Sequence, residues 1–165
     1  MKGARLLLLA FCVASTVAAC DYPFIPVGSL CYYFSSEGAS WHDARLACQS
    51  LAYQYTSLPV DLAVFDYFPG DFIHVFHYVS LLGNETWWIG GTDEGHENYW
   101  VWVDGRPIDM LQSYWRPDEP DVTDNQNALI IWYEGSEKVP RRRIGDWVGE
   151  RRHFYICQLG VKAVI

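Results

Sequence analysis

The chain has 165 residues, half of them hydrophobic and 16% aromatic, with 12 Lys and Arg against 20 Asp and Glu. This length suits one domain with a substantial core, and eight Trp with eleven Tyr exclude a disordered chain. A net charge of −8 argues against a nucleic-acid partner, because binding a phosphate backbone requires a basic surface.

Residues 1–19 are predicted to be a cleavable secretory signal. Lys2 and Arg5 precede a short apolar run at 6–13, and small residues follow at 17–19. The run is too short to cross a bilayer, which takes roughly 20 apolar residues, and no other stretch approaches that length. We therefore expect no transmembrane segment.

Cleavage there would leave a secreted, extracellular domain at residues 20–165. Four of the five cysteines lie in it, an even number that suits disulfide formation outside the cell. A bacterial lipoprotein is the alternative, since Val17-Ala18-Ala19-Cys20 also matches the box that precedes a lipidated cysteine. Lipidation of Cys20 would leave one of the other three thiols without a partner, which argues against this alternative.

A first helix is predicted to begin at Trp41. Ser40 and Asp43 have the spacing of a helix cap, in which the hydroxyl accepts a free backbone N–H group. Apolar residues then recur at helical spacing as far as Leu51, and this places Cys48 on the buried face.

The apolar segment 61–82 is interrupted by Pro69-Gly70, which predicts a short turn or helix followed by a second helix over 72–82. Directly after it, Asn84-Glu85-Thr86 forms the chain's N-glycosylation sequon. In a secreted eukaryotic chain, Asn84 would be the glycosylated residue of an exposed loop.

Beyond residue 86 the sequence predicts strands separated by loops. Short runs rich in Trp, Val, Ile and Tyr alternate with Gly, Pro, Asn and Asp. The predicted strands are 87–90, 100–103, 129–133 and 154–158. No regular pattern occupies 104–127, and a loop of this length in a compact domain is typically functional. No HExxH, GxSxG or phosphate-binding glycine motif is present, so an enzyme is not predicted.

Six motifs follow one another in the order Cys20-x10-Cys31-Tyr32-Tyr33-Phe34, Trp41–Leu51, Trp88-Ile89-Gly90-Gly91, Trp100–Gly105, Trp115-x3-Glu119-Pro120-Asp121 and Tyr155-Ile156-Cys157-Gln158. This order resembles the C-type lectin-like domain family over nearly all of residues 20–157. The resemblance implies an α+β fold with two helices, antiparallel sheets and a long irregular loop region. It also implies two disulfides, Cys20–Cys31 and Cys48–Cys157.

Most members of that family carry a third disulfide in the long-loop region. Its two positions read Ala128 and Gly149 in this chain. Both half-cystines are missing together, so the long loop is expected to depend more on metal binding and packing for its order.

The resemblance places the sugar-bearing calcium site on Glu119, Asp121, Gln126 and Asp146. Oxygen donors suit calcium, which takes six to eight of them. Gly145 stands where an Asn usually contributes and Gln126 replaces a Glu, so we expect Kd values of roughly 0.1 to 1 mM. Without the resemblance, the acidic run at 118–124 would be interpreted as a solvated loop.

The sugar contacts are expected from Glu119, Asp121 and Asp146. Glu119-Pro120-Asp121 is a hybrid of the Glu-Pro-Asn and Gln-Pro-Asp forms that the family associates with mannose-type and galactose-type sugars. Two carboxylates can only accept hydrogen bonds, so the motif does not select a sugar class. The resemblance also implies a cis peptide at Pro120, and the ring of Trp115, Tyr133 or Trp147 is a candidate for stacking on a sugar.

A second calcium site of the family maps only partly. Asp93 and Glu97 are in place, whereas Val122 and Asn127 stand where acids are usual. The favoured alternative is that the two acids solvate the turn before residue 100.

The resemblance implies calcium-dependent glycan recognition, with innate immune recognition of microbial surfaces as its context. The arginines at 141–143 and 151–152 form a basic patch for anionic glycans, or else balance an acidic surface. The alternative function is a lectin-like domain with a decayed sugar site, which binds a protein or lipid partner without calcium.

Overall fold

The computed structural model describes residues 20–65, 70–109, 115–120, 125–136 and 139–162, with the backbone alone at 135–136 and 139–142. Two helices and eight strands are present in these ranges. In chain order they are β1 Ile25–Val27, β2 Leu30–Phe34, α1 Trp41–Tyr55, β3 Val60–Leu62, α2 Gly70–Leu82, β4 Trp87–Thr92, β5 Val101–Trp102, β6 Ala128–Ser136, β7 Val139–Trp147 and β8 Phe154–Leu159.

The strands form one mixed sheet in the order β1-β2-β8-β4-β6-β7, with β3 also paired to β8 and β5 to β4. The strands pair antiparallel, as expected, except that β4 and β8 pair in parallel, with Trp87 opposite Phe154. The closing strand β8 enters the sheet between β2 and β4 and so joins the amino-terminal hairpin to the long-loop half of the molecule.

Helix α1 begins at Trp41, as predicted, and Ser40 is its N-cap. The Ser40 hydroxyl oxygen accepts the Asp43 backbone N–H group at 3.2 Å. Trp41, Ala44 and Cys48 are the buried residues of the helix, and this face packs on the sheet. Helix α2 begins at Gly70, two residues earlier than the sequence predicts.

Two strands were missed by the sequence interpretation. Residues 60–62 form β3 rather than a turn or helix, because Val60 and Leu62 are buried while Asp61 accepts the Arg45 Nε–H group at 3.2 Å. The basic run lies within β7, where Arg143 pairs with Trp132 of β6. Cross-strand pairing there overrides the low strand propensity of consecutive charged residues.

Both expected disulfides are confirmed. Cys20 and Cys31 close the amino-terminal hairpin, with 5.7 Å between Cα atoms. Cys48 and Cys157 join α1 to β8, with 5.3 Å between Cα atoms. The missing third bridge also has its expected place, because a Cβ atom added to Gly149 would lie 3.9 Å from the Ala128 Cβ atom. That separation falls within the range found in disulfides.

Strand β4 carries the centre of the core. Its residues from Trp87 to Gly91 are all buried, and Trp88 is fully enclosed. A Cβ atom at Gly91 would clash with the Leu129 side chain of β6, so the glycine leaves room for this side chain. No helix in the described ranges is both long and apolar enough to span a membrane.

Candidate calcium and glycan site

The long loop is anchored to β7 by its backbone. Trp115 forms a parallel bridge with Ile144, and the Arg116 N–H group donates to the Ile144 carbonyl oxygen at 2.8 Å. The Trp115 side chain is only 8% exposed and contacts Trp100 at 6.4 Å between ring centroids. Trp115 is therefore a core residue, and its candidacy for sugar stacking is wrong.

Glu119 lies where this anchored segment turns. Its N–H group donates to the Arg116 carbonyl oxygen at 3.1 Å, and the following Glu119–Pro120 peptide is cis, as expected. The Glu119 side chain is 11% exposed. It packs against Gly145, since a Cβ atom at Gly145 would lie 3.7 Å from the Glu119 Cδ atom.

Asp146 directly follows Gly145 and is 1% exposed, with both carboxylate oxygens buried. It pairs with Leu129 across the β6–β7 ribbon, and Gln126 lies just before β6 begins. The fold thus brings the segments of Glu119, Gln126 and Asp146 together at one end of this ribbon. Asp121 lies outside the described residues, and the ligand role of all four residues stays a prediction.

Glu119 and Asp146 approach β7 from different sides. Neighbouring side chains of a strand point to opposite faces, so Glu119 contacts the Gly145 face while Asp146 shares its face with Leu129. Within the part of the chain that the structure describes, no group of three His, Cys, Asp or Glu side chains is arranged to hold a metal ion. A calcium site here therefore requires the contribution predicted for Asp121.

Arg116 is a site residue that the sequence interpretation missed. Its guanidinium carbon lies 5.2 Å from the ring centroid of Trp132, and Nη1 lies 3.6 Å from Glu119 Oε1. Trp132 also contacts Trp147 at 4.8 Å between centroids. Arg116 stands three residues before Glu119 in the sugar motif, but this spacing alone does not indicate the contact.

The position of the second family site is more enclosed than a solvated turn. Asp93 is 3% exposed, and its Oδ2 atom accepts the Asn98 backbone N–H group at 2.9 Å. Among the described residues, neither Asp93 Oδ1 nor Asn127 Oδ1 has a hydrogen-bond partner, and both atoms are buried. The favoured alternative of a solvated turn is therefore wrong for Asp93, while Val122 lies outside the described ranges.

The donor chemistry at the long loop fits calcium. Carboxylate and amide oxygens are the hard ligands that calcium prefers. Burying a carboxylate such as Asp146 is unfavourable unless donors or a cation stabilise its charge. Glu119, Gln126 and Asp146 would hold the ion together with Asp121, and Gly145 can offer no side-chain ligand.

The remaining predicted residues lie outside the long loop in sequence. Asn84 is exposed in the segment that joins α2 to β4, a position accessible to a modifying enzyme. Arg151 and Arg152 are exposed, whereas the side chains of the arginines at 141 and 142 are outside the description. Tyr133 and Trp147 are half-buried.

Comparison with curated proteins finds C-type lectins. The hepatic lectin of Gallus gallus is 31% identical over 106 residues, which cover 64% of this chain and 46% of the relative. C-type lectin domain family 17 member A of Homo sapiens is 30% identical over 134 residues, covering 81% of this chain and 32% of the relative. The chain thus spans less than half the length of each of these relatives. No protein-family profile matches the chain.

Comparison with solved structures finds the same fold. The C-type lectin domain of murine dendritic cell inhibitory receptor 2, solved in complex with N-glycan, has a TM-score of 0.66 and 23% identity, covering 86% of this chain and 99% of the other. A calcium-independent type II antifreeze protein has a TM-score of 0.64 and 21% identity, covering 89% and 96%. The architecture, the two disulfides and these likenesses agree: by fold, the described chain is a C-type lectin-like domain.

Proposed function

We propose that this protein is a secreted C-type lectin that recognises glycans through calcium held by Glu119, Asp121, Gln126 and Asp146. The ion would polarise two neighbouring sugar hydroxyl groups, and the carboxylates of Glu119, Asp121 and Asp146 would accept hydrogen bonds from them. The leader at 1–19 would be removed, and Asn84 would carry an N-linked glycan.

The observation that carries this proposal is the placement of Glu119. Residues 119 and 146 are far apart in sequence, yet the Glu119 side chain packs against Gly145, the residue directly before Asp146, although the two acids lie on opposite faces of β7. Calcium shared between them would therefore depend on the ligands proposed at Gln126 and Asp121. The curated relatives add support, since both are named as lectins. The N-glycan complex of the murine domain supports a sugar ligand for this fold.

We propose anionic sugars of microbial surfaces as a ligand class, with Trp132 and Trp147 near the binding surface. Arg116 and Arg143 flank Trp132, the first over its ring and the second opposite it in the ribbon. Guanidinium groups match the oxygens of carboxylated and sulfated sugars.

Affinity chromatography tests the glycan proposal. The mature protein is passed over mannose, galactose and peptidoglycan resins in millimolar calcium and then washed with chelator. We expect retention on at least one resin, release by chelator, and no retention of Asp146→Asn. Asp118→Asn is the matched control, because it removes one exposed carboxylate from the same loop. Retention that survives chelation would contradict calcium dependence.

A second function is favoured by the contact between Arg116 and Glu119, which already places a positive charge beside one predicted calcium ligand. In this alternative the loop surface binds a protein or lipid partner without calcium. A calcium-independent antifreeze protein has the same fold, so the architecture itself does not require the metal. The alternative predicts that the folded protein passes through every sugar resin, with or without calcium.

A further inference from the structure

We propose that the Arg116 guanidinium pairs with the Glu119 carboxylate in the metal-free protein and competes with calcium for this carboxylate. This inference rests on the proposed calcium site and assigns to Arg116 the control of its calcium affinity. It predicts that the segment 115–120 keeps its conformation without metal, and that Arg116 sets the calcium affinity below what the oxygen ligands alone would give.

Three contacts fix Arg116 in place. Its N–H group donates to the Ile144 carbonyl oxygen at 2.8 Å, its guanidinium lies 5.2 Å from the Trp132 ring centroid, and Nη1 lies 3.6 Å from Glu119 Oε1. The backbone bond and the aromatic contact do not involve Glu119. The backbone is therefore fixed, and the guanidinium has an aromatic contact, independently of the ion pair.

The surroundings of Glu119 strengthen the interaction. The Glu119 side chain is 11% exposed, so solvent screens this end of the pair only weakly, whereas the Arg116 side chain is 38% exposed. On its other side is Gly145, which places no side chain between Glu119 and the strand. A Cβ atom added to Gly145 would lie 3.7 Å from the Glu119 Cδ atom, so the carboxylate lies close to the strand.

Competition follows from charge. A calcium ion bound through Glu119 would lie close to the guanidinium, and like charges a few ångströms apart repel. Calcium must either displace Arg116 from Glu119 or bind next to its positive charge. Both routes weaken calcium binding, whereas the ion pair stabilises the loop when calcium is absent.

Calcium titration of Arg116→Gln tests the proposal, with Arg45→Gln as a matched control. Arg45 also lies near an aromatic ring, 5.9 Å from the Trp41 centroid, and pairs with Asp61 at 3.2 Å, but on α1. The two side chains have nearly equal exposure, 35% for Arg45 and 38% for Arg116. Affinity is measured by calorimetry with calcium chloride, and melting temperature is measured with and without the metal.

We expect Arg116→Gln to bind calcium about tenfold more tightly than the unaltered protein, as removal of one adjacent positive charge implies. Its metal-free melting temperature should fall, and its gain in melting temperature on adding calcium should increase. Arg116→Lys keeps the charge and should retain calcium affinity close to that of the unaltered protein. Arg45→Gln should leave calcium affinity unchanged.

Unchanged or weaker calcium binding by Arg116→Gln, with binding intact in the unaltered protein, would overturn the role of Arg116 and leave the proposed site standing. Binding by Arg116→Gln alone would support the competition and show that Arg116 blocks the metal in the natural protein. Absence of binding in both proteins would overturn the competition together with the calcium site.

Discussion

The amino-terminal half and the long-loop half of this domain are stabilised by different means. In the first half, one disulfide closes the amino-terminal hairpin and the other joins α1 to β8. The sequence has no cysteine between Cys48 and Cys157, so no disulfide can form within the long-loop half. That half is held by the β6–β7 ribbon, the bridge between Trp115 and Ile144, and the contact of Arg116 with Glu119.

This difference assigns structure and binding to separate regions. The cross-linked half supplies a scaffold that is constrained by covalent bonds. The long-loop half carries every predicted calcium ligand, and it keeps fewer constraints of its own. We therefore expect metal binding, charge substitutions and engineered disulfides to change the stability of the long-loop half. Reduction of the natural disulfides should destabilise the scaffold.

The largest expected effect is the loss of the long disulfide. Cys48 and Cys157 are 109 residues apart, against 11 residues for Cys20 and Cys31. Chain entropy predicts that Cys48→Ala with Cys157→Ala lowers the free energy of unfolding by about 4 to 5 kcal/mol, against about 3 kcal/mol for the short bridge. Urea unfolding of the two double variants measures both losses. If removal of Cys20–Cys31 lowers the free energy of unfolding as much as removal of Cys48–Cys157, or more, the longer bridge is not the stronger stabiliser.

Restoring the missing disulfide should give the long-loop half a covalent constraint like those of the amino-terminal half. The positions of Ala128 and Gly149 already have a separation suited to a disulfide. Ala128→Cys with Gly149→Cys would close a loop of roughly 20 residues and raise the free energy of unfolding by about 3 kcal/mol. Mass spectrometry confirms the bond, and urea unfolding measures the gain, with the reduced double variant as control. If oxidation does not raise the free energy of unfolding, the long-loop half is already as constrained as a disulfide would make it.

The smallest expected effect is a pH dependence located in the scaffold. Burial and the nearby charge of Arg151 lower the pKa of His153 below its ordinary value of 6.5. The ring contacts Trp88, and its Nδ1 atom lies 2.5 Å from the Thr86 hydroxyl oxygen. Below pH 6.5 the unfolded chain takes up a proton that the folded ring resists, so stability is lost as the pH falls.

Melting temperatures at pH 7.5 and 5.5 measure this effect. We expect His153→Gln to show a smaller drop between the two values than the unaltered protein. His42→Gln is the control, because His42 is exposed on α1 and pairs with Glu94 at the surface. An identical drop in all three proteins would exclude His153 as a source of the pH dependence.

The sequence predicted the scaffold better than the site. The cap at Ser40, the start of α1, both cysteine pairs and the paired loss at Ala128 and Gly149 rest on local patterns or on motif order. Strand β7 was missed because its arginines fit no strand pattern, and its pairing with β6 is not visible in local sequence. Trp115 was misassigned because a Trp beside a sugar motif looks the same in sequence whether its ring is buried or exposed.

The role of Arg116 depends on contacts that cannot be derived from spacing. A guanidinium three residues before a carboxylate pairs with it only if the turn between them brings the two side chains together. The structure shows that turn, with the Glu119 N–H group donating to the Arg116 carbonyl oxygen at 3.1 Å. The same turn directs Arg116 towards Trp132, a residue of a distant strand.

Calorimetric titration of the mature protein with calcium tests the central claim most directly. We predict one binding event per chain with a Kd of roughly 0.1 to 1 mM, which is abolished by Asp146→Asn and retained by Asp118→Asn. The absence of binding heat at several millimolar calcium, in a protein whose melting curve shows it to be folded, would contradict the calcium site and favour a partner that binds without metal.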